Sequence, residues 1–229
     1  MIIGNGLLAR AFSSSFGDSP EVLIYAAGVS NSTETRLEEF SREEEQLRRQ
    51  LEGFAGKYFV YFGSCGVAND ESSLSPYLRH KLRMEQIVTN CSGGVVFRLP
   101  QVVGKTANPN TLTNYLNRKV SGGDAFNIWL RAERNLIDID HVCAISSHLL
   151  ANGLVDQQVV NIASENAVRV SDIVGILERI HGKRANYTLV DKGDPLKIEA
   201  SLSWAAAREL GIDLGTGYAE RLIWKYYAL

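Results

Sequence analysis

Met1-Ile2-Ile3-Gly4-Asn5-Gly6-Leu7-Leu8-Ala9 opens the chain, and its reading decides the fold. Three apolar residues suit a short strand, and the pattern from Leu7 to about Phe16 predicts a helix. G-x-G-x-x-A at a strand-to-helix turn is the dinucleotide-binding fingerprint with Ala in the third place. The glycines let a backbone approach a pyrophosphate, and the helix N-terminus supplies N–H groups and the positive end of its dipole. Ala9 is small enough for close helix–strand packing. The same residues also serve as a plain tight turn, so the segments that follow must choose between the two.

Working outward, residues 17–20 read as a turn, and residues 21–28 form a continuous apolar run that ends in Ala26-Ala27-Gly28. Such a run suits a central parallel strand, buried on both faces. Residues 34–53 are strongly charged, with Leu37, Phe40, Leu47, Leu51 and Phe54 at helical spacing. This predicts an amphipathic helix whose charges form a solvated face. Residues 57–63 are the next strand. Residues 75–90 read as a helix with Ser75 as N-cap and Pro76 at the first helical position. A strand over 93–99 is followed by a loop over 100–109 and a helix over 111–119. Short strands are expected at 126–129, 136–139 and 158–163. Helices are expected at 140–151, 170–180, 201–210 and 218–227. Strands alternating with helices of this length imply an α/β fold with a parallel sheet and right-handed crossovers.

A chain of 229 residues buries one good core, or one core and a small lobe. The net charge of -2 gives no sign of nucleic acid or an anionic membrane as partner. No apolar run approaches the length of a membrane span, and Met1 leads into the first strand without a basic leader. Cys65, Cys91 and Cys143 are odd in number and widely spaced, as expected of reduced thiols in a cytoplasmic protein. His80, His141, His148 and His181 show no metal-ligand spacing, so no metal is expected.

The chemistry is concentrated in Ser75-Pro76-Tyr77-Leu78-Arg79-His80-Lys81. Tyr77 and Lys81, four apart on a helix, project from one face. An ammonium beside a phenol favours the phenolate, which predicts a Tyr77 pKa lowered towards the operating pH. Such a Tyr gives or takes a proton at a carbonyl or alcohol oxygen. Ser64, at the end of the preceding strand, is placed to hold the same oxygen. A solvated Lys beside a half-buried Tyr is the competing reading of the same spacing.

Several stretches together resemble one family. They are Gly4-x-Gly6-x-x-Ala9, the strand ending Ala26-Ala27, and Val60-Tyr61-Phe62-Gly63-Ser64-Cys65-Gly66-Val67. They continue as Ser75-Pro76-Tyr77-x-x-x-Lys81-Leu82-x-x-Glu85, Phe97-Arg98-Leu99-Pro100-Gln101-Val102-Val103-Gly104, and Arg134-Asn135-Leu136-Ile137-Asp138-Ile139-Asp140-His141-Val142. In this order they resemble the extended short-chain dehydrogenase/reductases, the branch of nucleotide-sugar epimerases, dehydratases and reductases. The resemblance implies a Rossmann-like sheet with helices on both faces and a small lobe, formed mainly from about 104–125 and 163–229, that holds a nucleotide sugar. It implies NAD or NADP on Gly4, Asn5, Gly6, Leu7 and Leu8, with Ala26, Ala27 and Gly28 lining the cofactor. Tyr77 resembles the proton donor or acceptor, Lys81 its support and a ligand of the nicotinamide ribose, and Ser64 the substrate's hydroxyl partner. Gln101 and Arg134 fall where the family contacts a sugar diphosphate; their other reading is a surface polar residue and a loop or cap salt bridge.

The departures from the pattern carry expectations too. Only a short turn separates the first helix from the strand at Val22, where the family inserts two further strand–helix units. The strand that carries an acidic residue for the adenosine ribose is therefore missing. Met1–Ile3 becomes a sheet edge, which invites covering by a second subunit, as in a homodimer, or by the chain's own tail. After Ser64 stand Cys65 and Gly66, where 4,6-dehydratases place Asp and Glu. Keto-reduction or epimerisation is expected over dehydration, with Cys65 read as a small buried residue. The short loop between Ser64 and Tyr77 predicts an open substrate mouth. The alternative is a reduced, non-catalytic member that binds a sugar nucleotide or a partner protein.

Overall fold

The computed structural model describes residues 1–68, 74–155 and 159–228. The elements run β1 (Ile2–Ile3), α1 (Leu7–Phe16), β2 (Val22–Tyr25), α2 (Leu37–Gly53), β3 (Tyr58–Ser64), a 3-10 turn (Cys65–Ala68), α3 (Pro76–Thr89), β4 (Gly94–Leu99) and β5 (Gln101–Val103). They continue as α4 (Leu112–Gly122), β6 (Phe126–Trp129), β7 (Glu133–Arg134), β8 (Leu136–Asp138), α5 (Ile139–Ala151), β9 (Val159–Asn161) and β10 (Val168–Arg169). The chain closes with α6 (Val170–His181), β11 (Tyr187–Val190), α7 (Ser201–Glu209) and α8 (Tyr218–Tyr227). The chain divides into two compact units, Met1–Leu99 with Val142–Ile162, and Pro100–His141 with Ala163–Leu229.

The first unit is built on a five-stranded sheet in the order β1-β2-β3-β4-β9, every pairing parallel. Alternation along the buried strands divides the core into two layers. Leu23, Tyr25, Phe59, Tyr61 and Val96 pack with Leu47 of α2 and with Met84 and Val88 of α3. On the other face Phe12 of α1 meets Phe62 at 5.3 Å between ring centroids, and Phe62 meets Phe97 at 6.5 Å. Cys143 Sγ of α5 donates to the Ala11 carbonyl of α1 at 3.3 Å, which places α5 on that same face. The fold is thus a Rossmann-like α/β sheet with helices on both faces, and β1 stands at its edge as the sequence predicted. The Met1 ammonium ties that edge down through the carbonyls of Phe16, Ser19 and Val22.

α3 begins as read from sequence: the Ser75 hydroxyl accepts from the Leu78 amide at 3.3 Å, and Pro76 stands in the first turn. Arg98 of β4 then clamps the helix, its Nε donating to both Glu85 oxygens at 3.1 and 3.0 Å. The helix that carries Tyr77 is therefore fixed along its length, by a cap at its start and a forked ion pair three turns on.

The second unit pairs β5 with β8 and β6 with β11, both parallel, and β7 with β10, antiparallel. α8 is anchored to β8 through polar contacts: Tyr226 donates to Asp138 at 2.8 Å, and Lys225 bonds Asp138 and Asp140 at 2.8 and 2.7 Å. Three expectations are corrected. Residues 100–109 are not wholly loop, because Gln101–Val103 pairs with Leu136–Asp138. β7, β10 and β11 were not legible; two of them are two residues long, too short to show periodicity, and β11 is exposed along most of its length. Third, residues 34–53 do not carry only solvated charge, since Glu43 is buried. The loop expected to open the substrate mouth falls partly on 69–73, and the strand expected over 158–163 begins at 158; both positions lie outside the described residues.

Candidate active site

In a parallel sheet the carboxyl ends of the strands lie together. Here that end gathers the turn after β1 (Gly4, Asn5, Gly6), the segment after β2 (Ala26, Ala27, Gly28) and Ser64 at the end of β3. Gly4 has φ 122°, and a Cβ there would stand 2.5 Å from the Ala26 carbonyl oxygen. The first glycine is therefore required by the fold itself. At Gly6 a Cβ would meet nothing within 4 Å, and no side chain caps the helix that starts at Leu7. The approach to the first amides of α1 is open, which is the backbone arrangement a phosphate group needs.

Gly28 links this end to α3. A Cβ on it would lie 2.7 Å from both Glu43 Oε1 and Lys81 Nζ. Gly28→Ala is expected to push that pair apart and to destabilise the protein by about 1–3 kcal/mol, the usual range for overpacking. Thermal unfolding of the variant beside the parent protein checks this.

Lys81 does not stand free beside Tyr77. It is buried, and its Nζ donates to Tyr61 Oη at 2.9 Å and to Glu43 Oε1 at 3.3 Å. Tyr61 Oη in turn donates to Glu43 Oε1 at 2.8 Å. The other oxygen, Glu43 Oε2, accepts from the Val29 amide at 2.6 Å and meets His80 Nε2 at 2.9 Å. His80 is stacked on Phe40 at 4.5 Å. Burial opposes the Glu43 charge, but the Lys81 ammonium, the His80 hydrogen bond and the Val29 amide together hold the carboxyl below its usual range. Burial pulls Lys81 down, and Glu43 acts against that.

These contacts correct one expectation. Tyr77 and Lys81 share a face of α3, with Lys81 Nζ 5.9 Å from the Tyr77 ring centroid. Yet the Tyr77 pKa is not lowered; burial first, and the Glu43 charge second, push it up to about 12. Beside burial, the ammonium is met by a carboxylate only 3.3 Å away. A cation so compensated gives a phenol little net field.

Ser64 lies one residue before the 3-10 turn, and its Oγ accepts from the Gly66 amide at 3.2 Å. A Cβ on Gly66 would touch Leu78 Cδ2 at 3.0 Å and Ser64 Oγ at 3.4 Å. Ser64 and the first turn of α3, where Tyr77 sits, thus close on the same glycine. Cys65 is buried, and burial raises its thiol to about 12, consistent with a packing residue. Gln101 and Arg134 lie in the second unit. The Gln101 amide pairs with Asn135 O at 3.1 Å. The half-buried Arg134 donates to Glu133 O at 2.7 Å, and burial lowers its pKa. Among the described residues, no group of three or more His, Cys, Asp or Glu side chains is arranged to hold a metal ion.

Glu43 was missed, though a signal was present. On the helical stripe Phe40, Leu47, Leu51, the position three after Phe40 and four before Leu47 is occupied by a carboxylate. A charge on the buried stripe of a helix implies a buried partner, and Lys81 is that partner.

No protein-family model and no curated protein sequence matches the chain. Solved structures do. A UDP-glucuronic acid 4-epimerase from Bacillus cereus, in complex with UDP-glucuronic acid and NAD, has a TM-score of 0.71 at 18% identity over 97% of this chain and 80% of that one. RMD from Pseudomonas aeruginosa, complexed with NADPH, gives 0.67 at 16% identity over 99% and 88%. A dTDP-glucose 4,6-dehydratase from Bacillus anthracis, in complex with NAD, gives 0.70 at 15% over 98% and 78%. The likeness runs along almost the whole chain, and what it shows is the fold: the chain has the Rossmann-like architecture of these structures.

Proposed function

We propose that the chain is an extended short-chain dehydrogenase/reductase that uses NAD or NADP to reduce or epimerise a nucleotide-activated sugar. One observation carries this reading: the open Gly4–Gly6 turn, the small residues Ala26–Gly28 and Ser64 share one end of the sheet, and Lys81 of α3 reaches to Gly28 there. The residues fit a dinucleotide at the turn, since the backbone of Gly4, Asn5, Gly6, Leu7 and Leu8 faces it without an obstructing side chain at Gly6. When bound, the nicotinamide supplies or accepts hydride. The chain's own residues orient the substrate and move the proton. Tyr77 acts at the sugar oxygen, Ser64 orients that oxygen by a hydrogen bond, and Lys81 holds the ribose and the helix in place. Gln101 and Arg134 hold the diphosphate of the substrate; a guanidinium fork is suited to that task. Reduction or epimerisation is favoured over dehydration because Cys65 and Gly66 follow Ser64, and neither supplies an acid or base.

A second reading has support of its own. Among the described residues the sheet ends at β1, so the strand that would carry an acid for the adenosine ribose is absent. That favours a reduced member that binds a sugar nucleotide without turnover. Calorimetric titration with NADH and NADPH, on the parent protein and on Tyr77→Phe, separates the two. Binding of either cofactor by both proteins is the expected result. No binding of either at millimolar concentration would refute hydride transfer.

A further inference from the structure

We propose that Glu43 is a positioning residue: by closing a network around the Lys81 ammonium and the Tyr61 hydroxyl, it sets Tyr77 to give a proton to a substrate oxygen and not to take one. This rests on the reading of Tyr77 as the group that works at the sugar oxygen and on reduction, of the two proposed reactions, as the one performed, since epimerisation needs Tyr77 to take a proton as well as to give one.

The network closes on itself. Lys81 Nζ donates to Tyr61 Oη at 2.9 Å, Tyr61 Oη donates to Glu43 Oε1 at 2.8 Å, and Lys81 Nζ reaches the same Oε1 at 3.3 Å. The Val29 amide and His80 hold Oε2. The Tyr25 hydroxyl donates to the Glu43 backbone carbonyl at 3.3 Å. One carboxylate borne by α2 is thus bound by β3, α3 and the segment after β2, while Tyr25 of β2 holds the backbone of the residue that carries it. Both ionised side chains are about 95% or more buried, so their charges act unscreened on what lies beside them. Tyr77 lies beside them, over Lys81. An ammonium alone there would draw the phenol towards ionisation; an ammonium bound to a carboxylate does not.

The groups that face Tyr77 and its network are Glu43 on α2, His80 and Lys81 on α3, Tyr25 on β2 and Tyr61 on β3. With this set, the resting side chain is the neutral phenol. In the step, the O–H bond of Tyr77 breaks and its proton passes to the substrate oxygen. The electron pair stays on Tyr77 as phenolate, which regains a proton from water.

The test reads Tyr77 directly and needs neither cofactor nor substrate. The protein is labelled at tyrosine Cζ with 13C, and the Tyr77 resonance is assigned by its loss in Tyr77→Phe. In the parent protein this resonance is expected to stay at its phenol position up to about pH 10, the ordinary tyrosine midpoint. In Glu43→Gln it is expected to titrate at least about one pH unit lower than in the parent, a tenfold change in the dissociation constant. Glu43→Gln/Lys81→Met removes the cation together with its counter-charge and serves if the single variant does not fold; its Tyr77 midpoint is expected to stay within about half a pH unit of the parent's. An unchanged Tyr77 midpoint in folded Glu43→Gln, a fall of about one unit or more in the double variant, or ionisation of Tyr77 well below about pH 10 in the parent overturns the proposal. A protein that binds no nicotinamide cofactor leaves this titration intact, so failure of the enzymatic reading and failure of the Glu43 role are told apart.

Discussion

Glu43→Ala is expected to lower the stability of the protein by about 3–5 kcal/mol, because it leaves the buried Lys81 ammonium without its counter-charge. For a chain of this size that is a fall in Tm of about 10 °C. Thermal and urea unfolding followed by circular dichroism measure it. A loss under 1 kcal/mol would mean that Lys81 finds solvent or another partner in the variant. Glu43→Gln/Lys81→Met is expected to recover much of the loss, since replacing a whole buried pair by neutral groups is far milder than breaking it. The contribution also depends on pH. The folded protein holds the Glu43 carboxyl below its usual range, so the stabilisation is fully present above the unfolded carboxyl pKa of about 4.3. It is lost as pH falls below that value towards the folded pKa. The difference between parent and Glu43→Ala should therefore be constant near neutrality and shrink in acid.

Tyr77→Phe is expected to reduce kcat by about 10²–10⁴, the usual contribution of a positioned proton donor, while cofactor affinity changes little. The fold should survive, since the substitution keeps the ring and removes only the hydroxyl. Turnover of NADH or NADPH with keto nucleotide sugars, measured beside the parent protein, checks it. Equal, measurable turnover by parent and variant would remove Tyr77 from the reaction, whereas no turnover by the parent would leave the non-catalytic reading in place.

Both predictions concern one cluster, and the sequence and the tertiary structure share its description unequally. The spacing of Tyr77 and Lys81, the Ser75–Pro76 start of their helix and the alternation of apolar strands with amphipathic helices are local features. Hydrogen bonding within a turn and the periodicity of one face produce them, so they were readable from neighbouring residues. The glycine turn after Ile3 and the place of β1 at the sheet edge were legible for the same reason, the second because the segment between α1 and β2 is too short to form another strand. Among the short strands of the second unit β6 and β8 were legible, but β7 and β10 were not, because two residues carry no period of their own.

What the sequence determined alone was the parallel α/β architecture and the set of side chains delivered to the carboxyl ends of its strands. What only the tertiary structure decided was the electrical state of Tyr77. That state depends on burial first and then on Glu43, which is 38 residues away from Lys81 along the chain and 3.3 Å away in space. A cation beside a phenol lowers its pKa only while the cation's charge is uncompensated, and compensation comes from packing α2 against α3; the local pattern puts Glu43 on a buried stripe but does not say which cation it meets.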